Sequence, residues 1–411
     1  MNSWPWILFA SLLALPGLAT FVWWGLALAF MRRTEEALGS AEEGLDLPPP
    51  SRRVLVVIPA HNEQAVIATL ISSLRGQDYP HFRVVLALDR CTDATLSIAL
   101  ETIAGDDRFQ IVEVAQCPPD WTGKVHAIHS GVKAQALGEN QLLLFADADT
   151  RFAPECVRSC VALLEHRKLA ALTLLSTLTF DRAFERRVQG PASMELLVRY
   201  PPRKASRSTR RRPFANGQFI LMTETAYRAI GTHEAFKDEL LEDLAIARAL
   251  WREKLPVQVL RAGRMLVCRM YPDRPAFDRG WTRIFIEAAK RKPSRLRAWS
   301  LGTTVRGFVH PLGCLLAILS ASAALYWGAP SLPAAYFAVV SISLLGLVVW
   351  ISALNRFLLL GGVSWWRRWV CIAWWPFGSL ALAGLLRQAA ANLRQGVPTG
   401  WAGKNYTRPA R

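Results

Sequence analysis

Two aspartates one residue apart, Asp147 and Asp149, close the apolar run Leu142-Leu143-Leu144-Phe145-Ala146. At the mouth of a buried parallel strand such a pair offers hard oxygen donors to a divalent cation, and that cation can neutralise a diphosphate leaving group. Upstream, Ile58-Pro59-Ala60-His61-Asn62-Glu63 is a second strand-and-loop signal that ends on an acid. Together the two point to a metal-dependent nucleotide-sugar site. Thr122-Gly123-Lys124 opens a helical pattern, where a lysine beside free backbone N–H groups suits a phosphate. Leu240-Leu241-Glu242-Asp243-Leu244 enters another, and acids in a first turn are by themselves ordinary partners of the helix dipole.

The elements that must position these groups are legible around them. Val54 to Ile58 and Val84 to Leu88 are unbroken apolar runs, as expected of strands buried on both faces of a parallel sheet. Between them Ala65, Ile67, Leu70, Ile71 and Leu74 recur at helical spacing. The alternation predicts a helix near Ala94 to Ile103, a strand over Phe109 to Val114, a helix over Val125 to Leu137 and a strand over Gln141 to Ala146. A helix over Pro154 to His166 and a strand over Leu169 to Leu175 follow. This is the pattern of an open α/β sheet with helices on both faces, whose ligands bind beyond the carboxyl ends of the strands. After Thr177 the periodicity becomes irregular.

With 52% hydrophobic residues, 16 Trp and a net charge of +17, the chain is too apolar for a solvated basic protein and too charged for a pure membrane bundle. The two characters are separated along it. Trp4 to Phe30 carries no charge, is long enough to span a bilayer, and is followed by Met31-Arg32-Arg33. An uncleaved anchor with its N-terminus outside is expected; no Lys or Arg precedes the run, unlike a signal peptide. Phe308 to Trp327 and Leu332 to Leu354 read as two spanning helices joined by Gly328-Ala329-Pro330-Ser331. Trp369 to Leu386 has Pro376 and Gly378 at its middle and basic residues on both flanks, which suits a re-entrant or interfacial helix pair better than a straight span. The expected organisation is therefore an anchor over 1–31, a linker over 32–52 containing Pro48-Pro49-Pro50, a cytoplasmic catalytic domain over 53–300, and membrane segments with a basic tail over 301–411. Near 277–290 an amphipathic stretch with Trp281, Ile284, Phe285 and Ala288 on one side reads either as a helix along the membrane surface or as an ordinary packed helix.

Seven cysteines without Cys-x-x-Cys spacing imply neither a disulfide framework nor a zinc site, which fits a reducing compartment. Arg203 to Arg212 places six positive charges in ten residues. It reads as a solvated loop or as a contact for anionic lipid or diphosphate; nucleic acid is disfavoured, since no aromatic residue interleaves the run.

In order and spacing these clusters resemble the family 2 glycosyltransferases, enzymes of the GT-A fold, over roughly Val54 to Trp281. The resemblance implies that Pro59, Glu63 and Asp89, in Asp89-Arg90-Cys91-Thr92-Asp93, contact the donor nucleotide with Lys124 and Asp147; Asp93 itself reads better as a helix cap. It implies that Asp149, with Asp147, binds Mg²⁺ or Mn²⁺, and that Asp243 is the general base of an inverting displacement, supported by Glu242. Asn216, Gly217, Gln218, His233 and Trp281 fall on the acceptor side. His129 stands where the family often has Asn, and its role stays open. The Gln-x-x-Arg-Trp signature is missing; Trp281-Thr282-Arg283 is a loose echo. Trp401-Ala402-Gly403-Lys404-Asn405-Tyr406 and the flanking apolar helices look most like the hopene-associated glycosyltransferases of the HpnB type, and also like carotenoid and ceramide glycosyltransferases. The implied function is transfer of a sugar from a UDP-type donor to a lipid, in hopanoid-type biosynthesis at a bacterial inner membrane. A polysaccharide synthase and a catalytically silent scaffold of a lipid-synthesis complex are the alternatives.

Overall fold

The computed structural model describes residues 4–138, 140–202, 213–327, 333–401, 404–407 and 409–410. The basic run 203–212, the turn 328–331 and Ala402-Gly403 therefore lie outside the described residues. The chain opens with helix α1 (Trp4–Leu38), and the alternation expected from sequence follows: β1 (Val54–Ala60), α2 (Ile67–Arg75), β2 (Phe82–Asp89), α3 (Thr95–Ile103), β3 (Phe109–Val114), α4 (Gly123–Lys133) and β4 (Leu142–Phe145). Next come β5 (Thr150–Phe152), α5 (Cys156–His166), β6 (Ala171–Leu175), β7 (Thr177–Leu178), α6 (Gly190–Arg199), β8 (Ile220–Thr223), α7 (Glu224–Ala229), α8 (Glu242–Arg252), β9 (Val257–Arg261) and β10 (Leu266–Cys268). The last part holds α9 (Arg274–Ala288), α10 (Pro293–Thr304), α11 (His310–Tyr326), α12 (Pro333–Leu360), α13 (Trp365–Arg394) and the hairpin β11 (Thr399–Trp401) with β12 (Lys404–Tyr406).

Seven strands form one sheet in the order β3-β2-β1-β4-β8-β6-β9, parallel at every step except the two that flank β8. Every residue of β1 and β4 is buried, which is why both read as unbroken apolar runs. Helices cover both faces, through one core built on α2 and α5 and a second built on α4, α7 and α8. The carboxyl ends of β1, β2 and β4 open on one edge. Because β8 runs the other way, the residues that precede it come to that same edge.

Four helices among the described residues are long and apolar enough to cross a membrane: Ile7–Leu38, Pro293–Tyr326, Ala334–Leu360 and Trp365–Arg394. α1, α11 and α12 pack on one another. The helix of the anchor does not stop at residue 31; it continues to Leu38, whose side chain packs against Phe214, Leu244 and Val259. Nor is the following segment a spacer: a 3₁₀ turn, Ala41–Asp46, is capped by Ser40 and docks on α5, where the Ser159 hydroxyl donates to the Ala41 carbonyl at 2.5 Å. The boundary expected at 300 falls inside a continuous helical segment, since α10 runs through a π-turn (Val305–Val309) into α11.

The pair expected over Trp369 to Leu386 is instead one helix, α13. Pro376 removes a backbone bond, yet α13 continues because α6, α9, α10 and the π-turn Glu185–Gln189 pack along it. Gly378 marks the closest approach; any side chain there would overlap the carbonyl oxygen of Arg187. Near its start Arg367 pairs with Asp181 at 2.5 Å, and the hairpin that follows its end rests on α4. The stretch near 277–290 is the packed alternative: Phe277, Trp281, Phe285 and Ile286 of α9 are buried against Leu382, Leu386 and Ala389 of α13, so protein rather than lipid covers that face.

Candidate active site

A cation sits between two acids at the open edge of the sheet. The Lys124 ammonium, in the first turn of α4, lies 2.6 Å from Asp147 Oδ1 and 2.6 Å from Glu242 Oε1. β4 delivers Asp147 and the N-terminus of α8 delivers Glu242, so the bridge joins elements 118 residues apart in sequence, from Lys124 to Glu242. Burial pushes the Glu242 carboxyl up, and the Lys124 charge more than reverses this, leaving it below its ordinary range.

Asp243 is held differently. Its Oδ2 accepts from the Gly217 N–H at 3.2 Å and its Oδ1 from the Leu244 N–H at 2.7 Å. Burial, and then the neighbouring Glu242 charge, push it up to about 6. A carboxylate poised there can take a proton near neutral pH, which Glu242, paired to lysine, does poorly. Gly217 is where the chain passes closest: a Cβ there would lie 3.1 Å from Lys124 Nζ and 3.2 Å from Glu242 Oε1. The loop is fixed by Asn216, whose amide donates to the Leu174 carbonyl at 2.8 Å and to Gln218 Oε1 at 3.2 Å. If Asp243 must be ionised to act, turnover at saturating donor should be level above pH 6 and fall about tenfold per unit below it. A rate–pH profile with no limb near 6 would remove the base assignment. The linked stability has the opposite sign: a carboxyl pushed up favours the fold at low pH, and that favour is lost as pH rises through 6.

Asp149 and Glu63 complete the acidic side. Burial, then the Asp147 charge, push Asp149 up to about 7, and its Oδ1 accepts from Cys268 Sγ at 3.3 Å. Burial, then the charges of Asp149, Asp147 and Asp93, push Glu63 up to about 8. Such mutually repelling oxygen donors suit a hard divalent cation, which would let them ionise together. Among the described residues no group of three or more His, Cys, Asp or Glu side chains is arranged as a ready metal site.

A cavity of about 650 Å³ gathers most of the expected residues: Lys124, Asp147, Asp149, Asn216, Gly217, Gln218, Glu242, Asp243 and Trp281 all line it. From these polar groups it continues between α1, α12 and α13, past Trp24, Ala27, Phe30, Phe357 and Trp375. Trp281 presents a buried indole N–H with no hydrogen-bond partner among the described residues. Pro59, Glu63 and Asp89 lie outside this cavity, at the ends of β1 and β2. Pro59 is a buried strand residue paired with Ala87, and both Asp89 oxygens are engaged by the Arg90 guanidinium, at 2.8 and 2.6 Å.

His233 does not line this cavity. It is 0% exposed, its Nδ1 lies 2.9 Å from the Tyr227 hydroxyl, its ring meets Phe145 edge-on, and burial pushes it down to about 3. It is a packed neutral histidine. His129 leans on Trp121, with ring centroids 4.8 Å apart. Asp93 ties loops together, accepting from the Thr95 N–H at 3.0 Å and the Gln64 N–H at 3.2 Å.

Arg283 was not singled out from sequence. Its buried guanidinium on α9 lines the cavity and faces Tyr271 and the carboxylates of Glu242, Asp147 and Asp243. The loose Trp281-Thr282-Arg283 echo was its only trace.

The model of the glycosyltransferase-like family 2 matches residues 49–275, more than half of the chain. A curated relative, 4,4'-diaponeurosporenoate glycosyltransferase of Staphylococcus aureus (strain MRSA252), is 24% identical over 258 residues, covering 61% of this chain and 67% of that one. Among solved structures, a mannosyltransferase from Pyrobaculum calidifontis in complex with GDP-Man and Mn²⁺ aligns with a TM-score of 0.44 and 19% identity, over 83% of this chain and 99% of that one. Residues 1–349 of S. aureus TarS in complex with UDP-GlcNAc align with a TM-score of 0.39 and 16% identity, over 87% of this chain and 96% of that one.

Proposed function

The chain belongs to glycosyltransferase-like family 2, and from that premise we propose that it moves a sugar from a UDP-type donor onto a lipid acceptor drawn from the bilayer, with inversion at the anomeric carbon. One observation carries the acceptor class. The cavity that holds Asp243 runs on, without a wall, between helices long and apolar enough to cross a membrane. A soluble acceptor would have no use for a corridor lined by Trp24, Ala27, Phe30 and Phe357; a polycyclic lipid of the hopanoid kind would fill it along its length.

In this reading the acceptor hydroxyl lies against Asp243, which takes its proton as the oxygen attacks the anomeric carbon. Gly217 N–H holds the carboxylate in place. Lys124 and Arg283 face the departing diphosphate from two sides, and their fixed charges favour the state in which that charge develops. Asp149 and Asp147 would hold Mg²⁺ or Mn²⁺, which supplies further neutralisation of the diphosphate when bound. The unpartnered Trp281 N–H is available to an acceptor oxygen, and the apolar walls keep water from competing for the sugar.

Mass spectrometry of total lipid from cells with and without the gene tests the reading. The expected result is a hexose-sized or hexosamine-sized increment on a hopanoid or other polycyclic lipid that disappears with the gene; loss of a surface polysaccharide with unchanged lipids would overturn it. A corridor variant sharpens the test. Ala27→Trp should block transfer to lipid by about tenfold or more while slow hydrolysis of the donor by water continues, because it fills the corridor and leaves the carboxylates untouched. Equal loss of both activities would mean that the corridor is not the acceptor path.

A further inference from the structure

The hairpin that follows α13 is bonded to the segment that carries Lys124. The Gly123 N–H, the first of α4, donates to the Tyr406 hydroxyl at 3.1 Å in a buried contact. Beside it the Lys404 ammonium donates to three carbonyls of the preceding turn, those of Pro118 at 2.8 Å, Pro119 at 3.0 Å and Trp121 at 2.8 Å. The same turn is held on its other side by loop 237–239, through the Thr122 N–H to the Lys237 carbonyl at 2.6 Å and the Thr122 hydroxyl to the Glu239 carbonyl at 3.1 Å. Tyr406 is 9% exposed and lies within electrostatic reach of Arg90, Asp89 and Cys117, at the mouth of β2. Lys404 rests over the Tyr406 ring, 5.6 Å from its centroid.

A hydroxyl that accepts from the first N–H of a helix does the work of an N-cap, and here no side chain within α4 or its own N-cap residue Thr122 does so. We propose that β12 (Lys404–Tyr406) is one wall of the donor-nucleotide pocket and that Tyr406 is a positioning residue for the donor phosphates, acting through α4 and Lys124. It rests on the donor site described under the proposed function. The hairpin closes the gap between the end of β2 and the start of α4, where a nucleotide bound at the edge of the sheet must lie. Fixing α4 at its first residue fixes the ammonium one residue later. The bond therefore sets how well the site is formed before donor arrives, which is a matter of binding more than of the chemical step.

Titration of the purified full-length protein with UDP in the presence of Mn²⁺, alongside kinetics with the UDP-sugar, tests this. Tyr406→Phe keeps the ring and removes only the oxygen; it should weaken UDP binding and raise the donor KM by about tenfold, with kcat within about twofold. Lys404→Met should do the same to a smaller degree, and an unchanged melting temperature separates positioning from loss of fold. Wild-type UDP affinity and KM in both variants would overturn the proposal. A fall in kcat with KM unchanged would overturn it too, since the tyrosine would then act in the reaction and not in donor positioning. If the wild-type protein itself fails to bind UDP, the donor reading falls first and this one with it, a result distinct from normal binding in both proteins.

Discussion

Asp243→Asn should abolish sugar transfer by about a thousandfold while UDP binding with Mn²⁺ stays within about twofold. Asparagine has the same shape and still offers an oxygen to the Gly217 N–H, so the loop and cavity should keep their form. What it lacks is the ability to take a proton, and one of the two oxygens that accept from the Gly217 and Leu244 N–H groups. The competing candidate is one residue away, and the electrostatics separate the two: Glu242 is paired to Lys124 at 2.6 Å and held below its ordinary range, whereas Asp243 is raised to about 6. A base held too acidic drives proton transfer poorly. Transfer that survives in Asp243→Asn but vanishes in Glu242→Gln would exchange the roles.

Lys124→Met carries the second largest expected effect, and it falls on both stability and donor binding. Removing one partner of a buried ionic cluster leaves the others uncompensated, here Asp147 and Glu242 facing each other across the space the ammonium held. Asp147 keeps some contact with the cleft, so the cost should sit at the lower end of the range for such losses, about 3 kcal/mol at pH 7. The sign with pH follows. The deficit against wild type should shrink as pH falls, because protonating either carboxyl relieves the repulsion that the substitution exposes. Donor affinity should fall by about a hundredfold if Lys124 is the cation proposed to face the donor's diphosphate. The double variant Lys124→Met with Glu242→Gln distinguishes the two effects. It should recover most of the melting temperature and none of the donor binding. Recovery of both would reduce Lys124 to a structural ion-pair partner.

Five of the seven strands could be read from sequence, β6 among them as the run Leu169 to Leu175. β1, β2 and β4 announce themselves as apolar runs, and β3 was legible from its place in the alternation. β8 did not, because a four-residue antiparallel strand, Ile220–Thr223, that follows an irregular loop and runs straight into α7 has neither the length nor the alternation to stand out. The acids and the lysine were legible since each follows directly on a strand or opens a helix. Arg283 was not, because its value depends on which way α9 is turned, and that is decided by Trp281 and Phe285 packing on α13 a hundred residues downstream. His233 misled for the complementary reason: a histidine next to a glutamate looks chemical in one dimension, and only the fold shows Phe145 and Tyr227 closing around it. The partnership of Tyr406 with Gly123 spans 283 residues and leaves no local periodicity at all.

The two attachments of α13 have a consequence for geography. One domain holds the helix near its start, through Arg367 and Asp181, and just beyond its end, through the hairpin on α4. A bilayer cannot pass between two points fixed to the same rigid body. A straight crossing by α13 would therefore put its two attachments in different compartments, which sets it apart from α1, α11 and α12 although all four are long and apolar enough to cross a membrane. Under the proposed function, a lipid that receives its sugar in this corridor would leave it into the leaflet beside the catalytic domain.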